Sequence, residues 1–180
     1  RGLGDVYKRQ IMDINKPHIV VDLETLSTRS NACIVSIGAV LIEDLKKQGE
    51  FYINVNGIEG RQAGLHIEPD TIKWWEEQSQ EARDAWQLDP QPLVDSLNEF
   101  TAWYGDESIP IWGYGANFDV VILENAYRTM GKQIPWKFWD IYCLRTVMNV
   151  LNKRLPKANN HNALDDANAE ADMLIEILKS

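Results

Sequence analysis

The spacing of hydrophobic positions changes along the chain. In PHIVVDLETLS an unbroken apolar run, Ile19 to Val21, passes into polar residues, which predicts a central strand. CIVSIGAVLIED predicts a second strand. The turn-rich DLKKQGE follows, and FYINVN alternates with period two as a third strand. Connections this short predict an antiparallel meander.

From Glu68 the period lengthens. EPDTIKWWEEQSQEARDAW predicts a helix with Pro69 at its boundary and Asp70 or Thr71 as N-cap; Ile72, Trp75, Ser79, Ala82 and Trp86 run along one side. QPLVDSLNEFTAWYG predicts another, with Leu93, Leu97 and Phe100 at helical spacing and a stop at Gly105. IPIWGYG reads as a fourth strand, and NFDVVILENAYRTMG as a helix capped by Asn117 and stopped at Gly131. KFWDIYCLR reads as a fifth strand running into a helix up to Leu151. After the loop LNKRLPKANN, HNALDDANAEADM heads the last helix. Three strands first, then strands separated by helices, predict an α/β fold with a mixed five-stranded sheet flanked by helices.

Bulk properties narrow the possibilities. The 180 residues, 44% hydrophobic and 25% charged, suit one soluble domain. The longest apolar stretch, ACIVSIGAVLI, is too short to span a bilayer, and no basic-then-apolar signal segment is present. A cytoplasmic protein without a membrane partner is expected, in a bacterial or phage-infected cell. Cys33 and Cys143 then read as free thiols. DVYKRQ, residues 5–10, back-translates to a transposon-end sequencing adapter. Residues 1–11 therefore read as a non-native leader and Met12 as the natural start, leaving residues 12–180 as the domain. The net charge of −9 excludes a protein that holds long nucleic acid by broad phosphate neutralisation. It leaves room for a site where bound cations supply the positive charge.

Acidic residues fall where such a site could form. Asp22 and Glu24, two apart on the first strand, project to the same side of the sheet. Acids at the end of a buried strand are costly unless a divalent metal compensates them, or unless the strand has already ended and both are solvated. Asp119, at the start of a helix, is either a capping acid or a neighbour of that pair. His161 and Asp166 are five apart, a turn of about 500° that leaves them roughly 140° apart on a continuous helix. They can share a site only if His161 lies in the preceding loop. Asn162-x-x-Asp165 supports this as a capping box, giving Asp165 a structural job and leaving Asp166 free to face inward. Ala163, Ala167 and Ala171 allow close packing on the sheet; Glu170, Asp172 and Glu176 read as solvated.

The ordered set — Asp-x-Glu on the first strand, NFD after the fourth, His-x-x-x-x-Asp at the last helix — resembles the DEDDh 3′–5′ exonucleases, which have the ribonuclease H-like fold. The likeness runs from about Met12 to the end. DLETLS, NACIVSIGAV and TIKWWEEQSQEAR resemble the branch that includes T-even phage exonuclease A and a mycobacterial 3′–5′ exoribonuclease. The resemblance implies that Asp22, Glu24, Asp119 and Asp166 bind two Mg²⁺ or Mn²⁺ ions and that His161 is the general base. It also implies that Thr25, Leu26, Asn117 and Phe118 receive the terminal nucleotide, and that the protein is a homodimer.

These residue types suit phosphodiester hydrolysis. Two divalent ions about 3.5–4 Å apart stabilise the attacking and leaving oxygens of an in-line displacement, hard oxygen ligands suit Mg²⁺, and histidine ordinarily titrates near neutrality. Leu26 and Phe118 offer a wedge and a stacking surface, though Phe118 could equally be core. Trp74, Trp75, Trp86 and Trp103 read as core. Lys153, Arg154 and Lys157 form the densest basic cluster, and His18 and His66 read as structural. The substrate expected is the 3′ end of short or single-stranded RNA or DNA, handled with low processivity. An internally cutting ribonuclease H-like nuclease and a catalytically silent binding domain on the same fold are the alternatives.

Overall fold

A computed structural model describes residues 16–105, 108–156 and 161–179; the leader assigned to residues 1–11 and Lys157 of the basic loop lie outside them. The meander forms as β1 (His18–Thr25), β2 (Ile34–Glu43) and β3 (Lys46–Asn54). Helices α1 (Gly57–Gln62), α2 (Pro69–Glu76), α3 (Gln80–Ala85) and α4 (Leu93–Tyr104) follow. β4 (Ile111–Gly113) leads to α5 (Asp119–Thr129), β5 (Ile141–Cys143) runs directly into α6 (Leu144–Val150), and α7 (Ala163–Leu178) comes last. The five strands lie in the order β3-β2-β1-β4-β5. β1 to β3 are antiparallel, whereas β4 runs parallel to β1 and β5 parallel to β4. This is the mixed, helix-flanked α/β sheet expected from the hydrophobic pattern.

Local departures have local causes. The helix expected between Glu68 and Trp86 is two helices, because Ser79 starts α3 afresh, its hydroxyl accepting from the Ala82 N–H at 3.2 Å. Glu68, not Asp70 or Thr71, takes the N-cap position of α2 ahead of Pro69. Phe118 rather than Asn117 precedes α5, and no side chain caps it. α1 was hidden by its glycines; Asn56 caps it by accepting from the Ile58 N–H at 3.0 Å.

β1 separates two apolar layers. Ile19, Val21 and Leu23 face the larger layer, packed with Leu97 and Phe100 of α4 and Ile122 and Tyr127 of α5. Val20, one residue out of phase, faces the other with Val40, Ile42 and Trp112 under Leu144, Met148, Ala167, Ala171 and Leu174 of α6 and α7. Full burial of each aliphatic side chain stabilises the fold by about 1.5–3 kcal/mol. His18 accepts a hydrogen bond from Trp112 Nε1 at 3.2 Å, and His66 Nδ1 pairs with the Ser27 hydroxyl at 2.8 Å. Both cysteines are free; burial pushes the Cys33 thiol up to about 11. Among the described residues no helix is long and apolar enough to cross a membrane.

Candidate metal centre and adjoining groove

The period of β1 that turns Val20 toward α7 carries on to Asp22 and Glu24. Both therefore lie beneath the start of the last helix, which supplies Asp166. Ligand oxygens of Asp22, Glu24 and Asp166 all lie within 4.8 Å of one another. The helix comes this close because small residues face the sheet. Ala163, Ala167 and Ala171 are fully buried, and a Cβ on Gly38, the partner of Asp22 across β1 and β2, would lie 2.2 Å from the Ala163 carbonyl. The phase of α7 is set by Asn162, whose Oδ1 accepts the N–H groups of Leu164 at 3.0 Å and Asp165 at 3.2 Å. Asp165 is exposed and Asp166 half-buried. His161 stands before the helix at φ +44°, so the loop position expected for it is where it lies. Its ring sits edge-on to Trp74, centroids 4.8 Å apart.

Asp119 opens α5 and is only 5% exposed. β4 pairs with β1 at Ile19 and Val20 alone, and beyond that pairing the Leu23 N–H hydrogen-bonds the Asp119 carboxylate, as does the N–H of Asp119 itself. Glu170 corrects the expectation of a solvated side chain. It is 3% exposed, since a residue four beyond Asp166 returns to the same helix face. The signal was present in the stripe Ala163, Ala167, Glu170, Ala171, Leu174, whose other members are all apolar. Asp172 and Glu176 are exposed, as expected, and ion-pair with Lys47 at 3.0 Å and with Lys153 respectively.

Asp22, Glu24, Asp119 and Asp166 all hold their protons above the ordinary carboxylate range. Burial, then Asp119, Glu170, Glu24 and Asp166, raise Asp22 well above it. Burial with Asp166 and Asp119 lifts Glu24 to about 8. Burial lifts Asp119 to about 7 against its N–H donors and Arg145, and raises Asp166 against nearby His161. Among the described residues no lysine or arginine ion-pairs with Asp22, Glu24 or Asp166. A desolvated cluster of hard oxygen donors without a lysine or arginine ion pair among the described residues fits a divalent cation. Arg145, which the sequence did not single out, places its guanidinium 4.6 Å from the Tyr114 ring centroid and holds Asp119 and Glu170 somewhat lower.

Glu24 also lines a groove of about 570 Å³ shared by Thr25, Thr28, Trp74, Trp75 and Phe118. Trp75 Nε1 donates to the Thr25 carbonyl at 2.9 Å, fixing α2 beside the end of β1. Trp74 and Trp75 cannot share a helix face: Trp75 is core and Trp74 is 40% exposed, against the expectation that both are core. Trp86 and Trp103 pack partly buried against the core. Leu26 is not among the residues that line this groove. It lies just past the end of β1, beyond the register shift at Glu24/Thr25, and lines a separate cavity of about 730 Å³ with Val35 and Trp86. Asn117 is exposed and outside the groove walls. In the basic loop Lys153 is engaged by Glu176, and Arg154 is exposed.

Comparison with known proteins adds to this geometry. The family model described as the 3′–5′ exoribonuclease Rv2179c-like domain matches residues 17–178. No curated protein matches the chain. Among solved structures, E. coli exonuclease I with a dT13 oligonucleotide is similar at 15% identity and a TM-score of 0.68, over 90% of this chain and 41% of that one. Its zinc-bound complex with single-stranded DNA gives 15%, 0.69, 91% and 41%, and its dA16 complex 16%, 0.64, 91% and 41%. The likeness is one of fold, ribonuclease H-like, and this chain spans about two-fifths of the exonuclease I chain.

Proposed function

The chain belongs to the Rv2179c-like 3′–5′ exoribonuclease domain family, and we propose that it removes nucleoside 5′-monophosphates from the 3′ end of short or single-stranded nucleic acid. Membership bears out the likeness to the DEDDh 3′–5′ exonucleases. The observation that carries the proposal is the convergence of Asp22, Glu24 and Asp166 oxygens within 4.8 Å at a groove walled by Phe118 and Trp74.

Asp22, Glu24, Asp119 and Asp166 would hold two Mg²⁺ or Mn²⁺ ions, which supply charge neutralisation at the phosphate and acidify the attacking water. His161, placed in the loop directly before the helix that carries Asp166, takes the proton of that water on a ring nitrogen. Trp74 limits the swing of the histidine ring by packing on it edge-on. The P–O3′ bond breaks as the bond from water to phosphorus forms, leaving a 3′-hydroxyl on the shortened strand and a 5′-monophosphate as product. Phe118 offers its ring to the terminal base and Thr25 borders the sugar, in a groove of small-ligand size. Glu24, Glu68 and Asp70 make the groove walls acidic, so productive phosphate binding depends on the cations.

Circular and linear single strands of RNA and DNA, offered with Mg²⁺ or Mn²⁺, test this reading. Linear strands are degraded and circles survive. Cleavage of circles would make the protein an endonuclease, and binding without turnover would make it a silent domain.

A further inference from the structure

Glu170 is the one acid of the cluster that the proposed chemistry leaves without a task. It is 3% exposed, and its Oε2 is buried with no hydrogen-bond partner. Among the described residues no lysine or arginine ion-pairs with it. Arg145 is near enough to favour its charge, yet that side chain is exposed and lies over the Tyr114 ring. Glu170 stands one helical turn beyond Asp166 on the buried face of α7, the face that packs on β1 and β2 where Asp22 lies. A carboxylate with an unpaired oxygen, removed from water, must be neutralised, by a proton when the site is metal-free or by a cation that completes its ligand set.

We propose that Glu170 is a fifth carboxylate of the metal centre, standing one turn beyond Asp166 on the inner face of α7, so that the site takes up divalent cations before any phosphate arrives. Two dications neutralise Asp22, Glu24, Asp119 and Asp166 alone. With Glu170 added, the protein supplies by itself the further negative charge that a bound phosphate would otherwise bring. The inference rests on the reading that those four acids bind the metal.

The test is a Mn²⁺ titration of the whole chain without nucleic acid, followed by calorimetry and by electron paramagnetic resonance of free Mn²⁺. Wild type, Glu170→Gln, Glu170→Met and Asp22→Asn are compared. Both Glu170 variants should bind Mn²⁺ about tenfold more weakly or worse, while their metal-free melting temperatures stay at or above wild type. Unchanged Mn²⁺ binding in the Glu170 variants overturns the role of Glu170 and leaves the four-acid site standing, provided Asp22→Asn loses affinity. A wild type that binds no Mn²⁺ overturns both readings. If one variant fails to fold the other decides; failure of both assigns Glu170 to holding the metal-free fold and also overturns the proposal.

Discussion

Gly38 and Ala163 are in direct backbone contact: a Cβ on Gly38 would stand 2.2 Å from the Ala163 carbonyl. Gly38 is also the cross-strand partner of Asp22, so this close approach of α7 to the sheet is made beside the first acid of the cluster. Gly38→Ala should therefore push the start of α7 outward and carry Asp166 away from Asp22. We expect a loss of about 1–3 kcal/mol in stability from overpacking, read by thermal denaturation, together with weaker Mn²⁺ binding. Wild-type values for both would show that the helix does not depend on this contact.

The centre should also give the metal-free protein an unusual pH dependence. Glu24 moves from an ordinary 4.5 to about 8 and Asp119 from 3.8 to about 7 in the folded chain. For acids raised on folding, the unfolded chain loses its protons first. Their contribution to stability is thus complete below the unfolded values and is lost as pH rises through the folded ones. With EDTA present, the melting temperature should fall between about pH 4.5 and 8. With Mn²⁺ present, the slope should flatten, because the ions take the place of the protons. A metal-free melting temperature that rises steadily to pH 8 would contradict the buried, coupled cluster.

His161 is separated from the acids by its loop position and by its assigned task. His161→Ala should lower kcat about 10²- to 10⁴-fold, the usual weight of a general base, while leaving Mn²⁺ affinity intact in calorimetry. Loss of metal binding in this variant would make His161 a ligand.

Phe118 and Trp74 both wall the groove, but only Trp74 also touches His161. Phe118→Ala should raise KM by the equivalent of about 1–3 kcal/mol, the worth of one stacked base, with little change in kcat. Trp74→Ala should lower kcat too, because the histidine loses the ring it packs on. Identical KM and kcat effects from the two substitutions would argue against distinct roles.

The convergence of Asp22, Glu24 and Asp166 was legible because strand period and helix phase are short-range properties. Asp22 and Glu24 follow Val20 by simple alternation, and Asn162 marks where α7 starts and hence where Asp166 points. Glu170 was misread although the same arithmetic covers it, because a glutamate on a terminal helix ordinarily faces water. The surroundings of Leu26 and the exposure of Trp74 were not legible for another reason. Which side of a strand end or a short helix meets a cavity depends on partners distant in sequence, here Val35 and Trp86 for Leu26 and His161 for Trp74. The break between α2 and α3 hung on one hydroxyl, that of Ser79, in a segment whose apolar spacing stays helical across it.

The most direct measurement uses a 5′-labelled linear single strand, incubated with Mg²⁺ or Mn²⁺ and resolved at single-nucleotide spacing. Wild type should give a ladder shortening from the 3′ end, with 5′-monophosphates released, and Asp22→Asn, still folded by circular dichroism, should leave the strand intact. Immediate release of the label as a mononucleotide, internal fragments from the outset, or full activity in Asp22→Asn would contradict a metal-dependent 3′–5′ exonuclease.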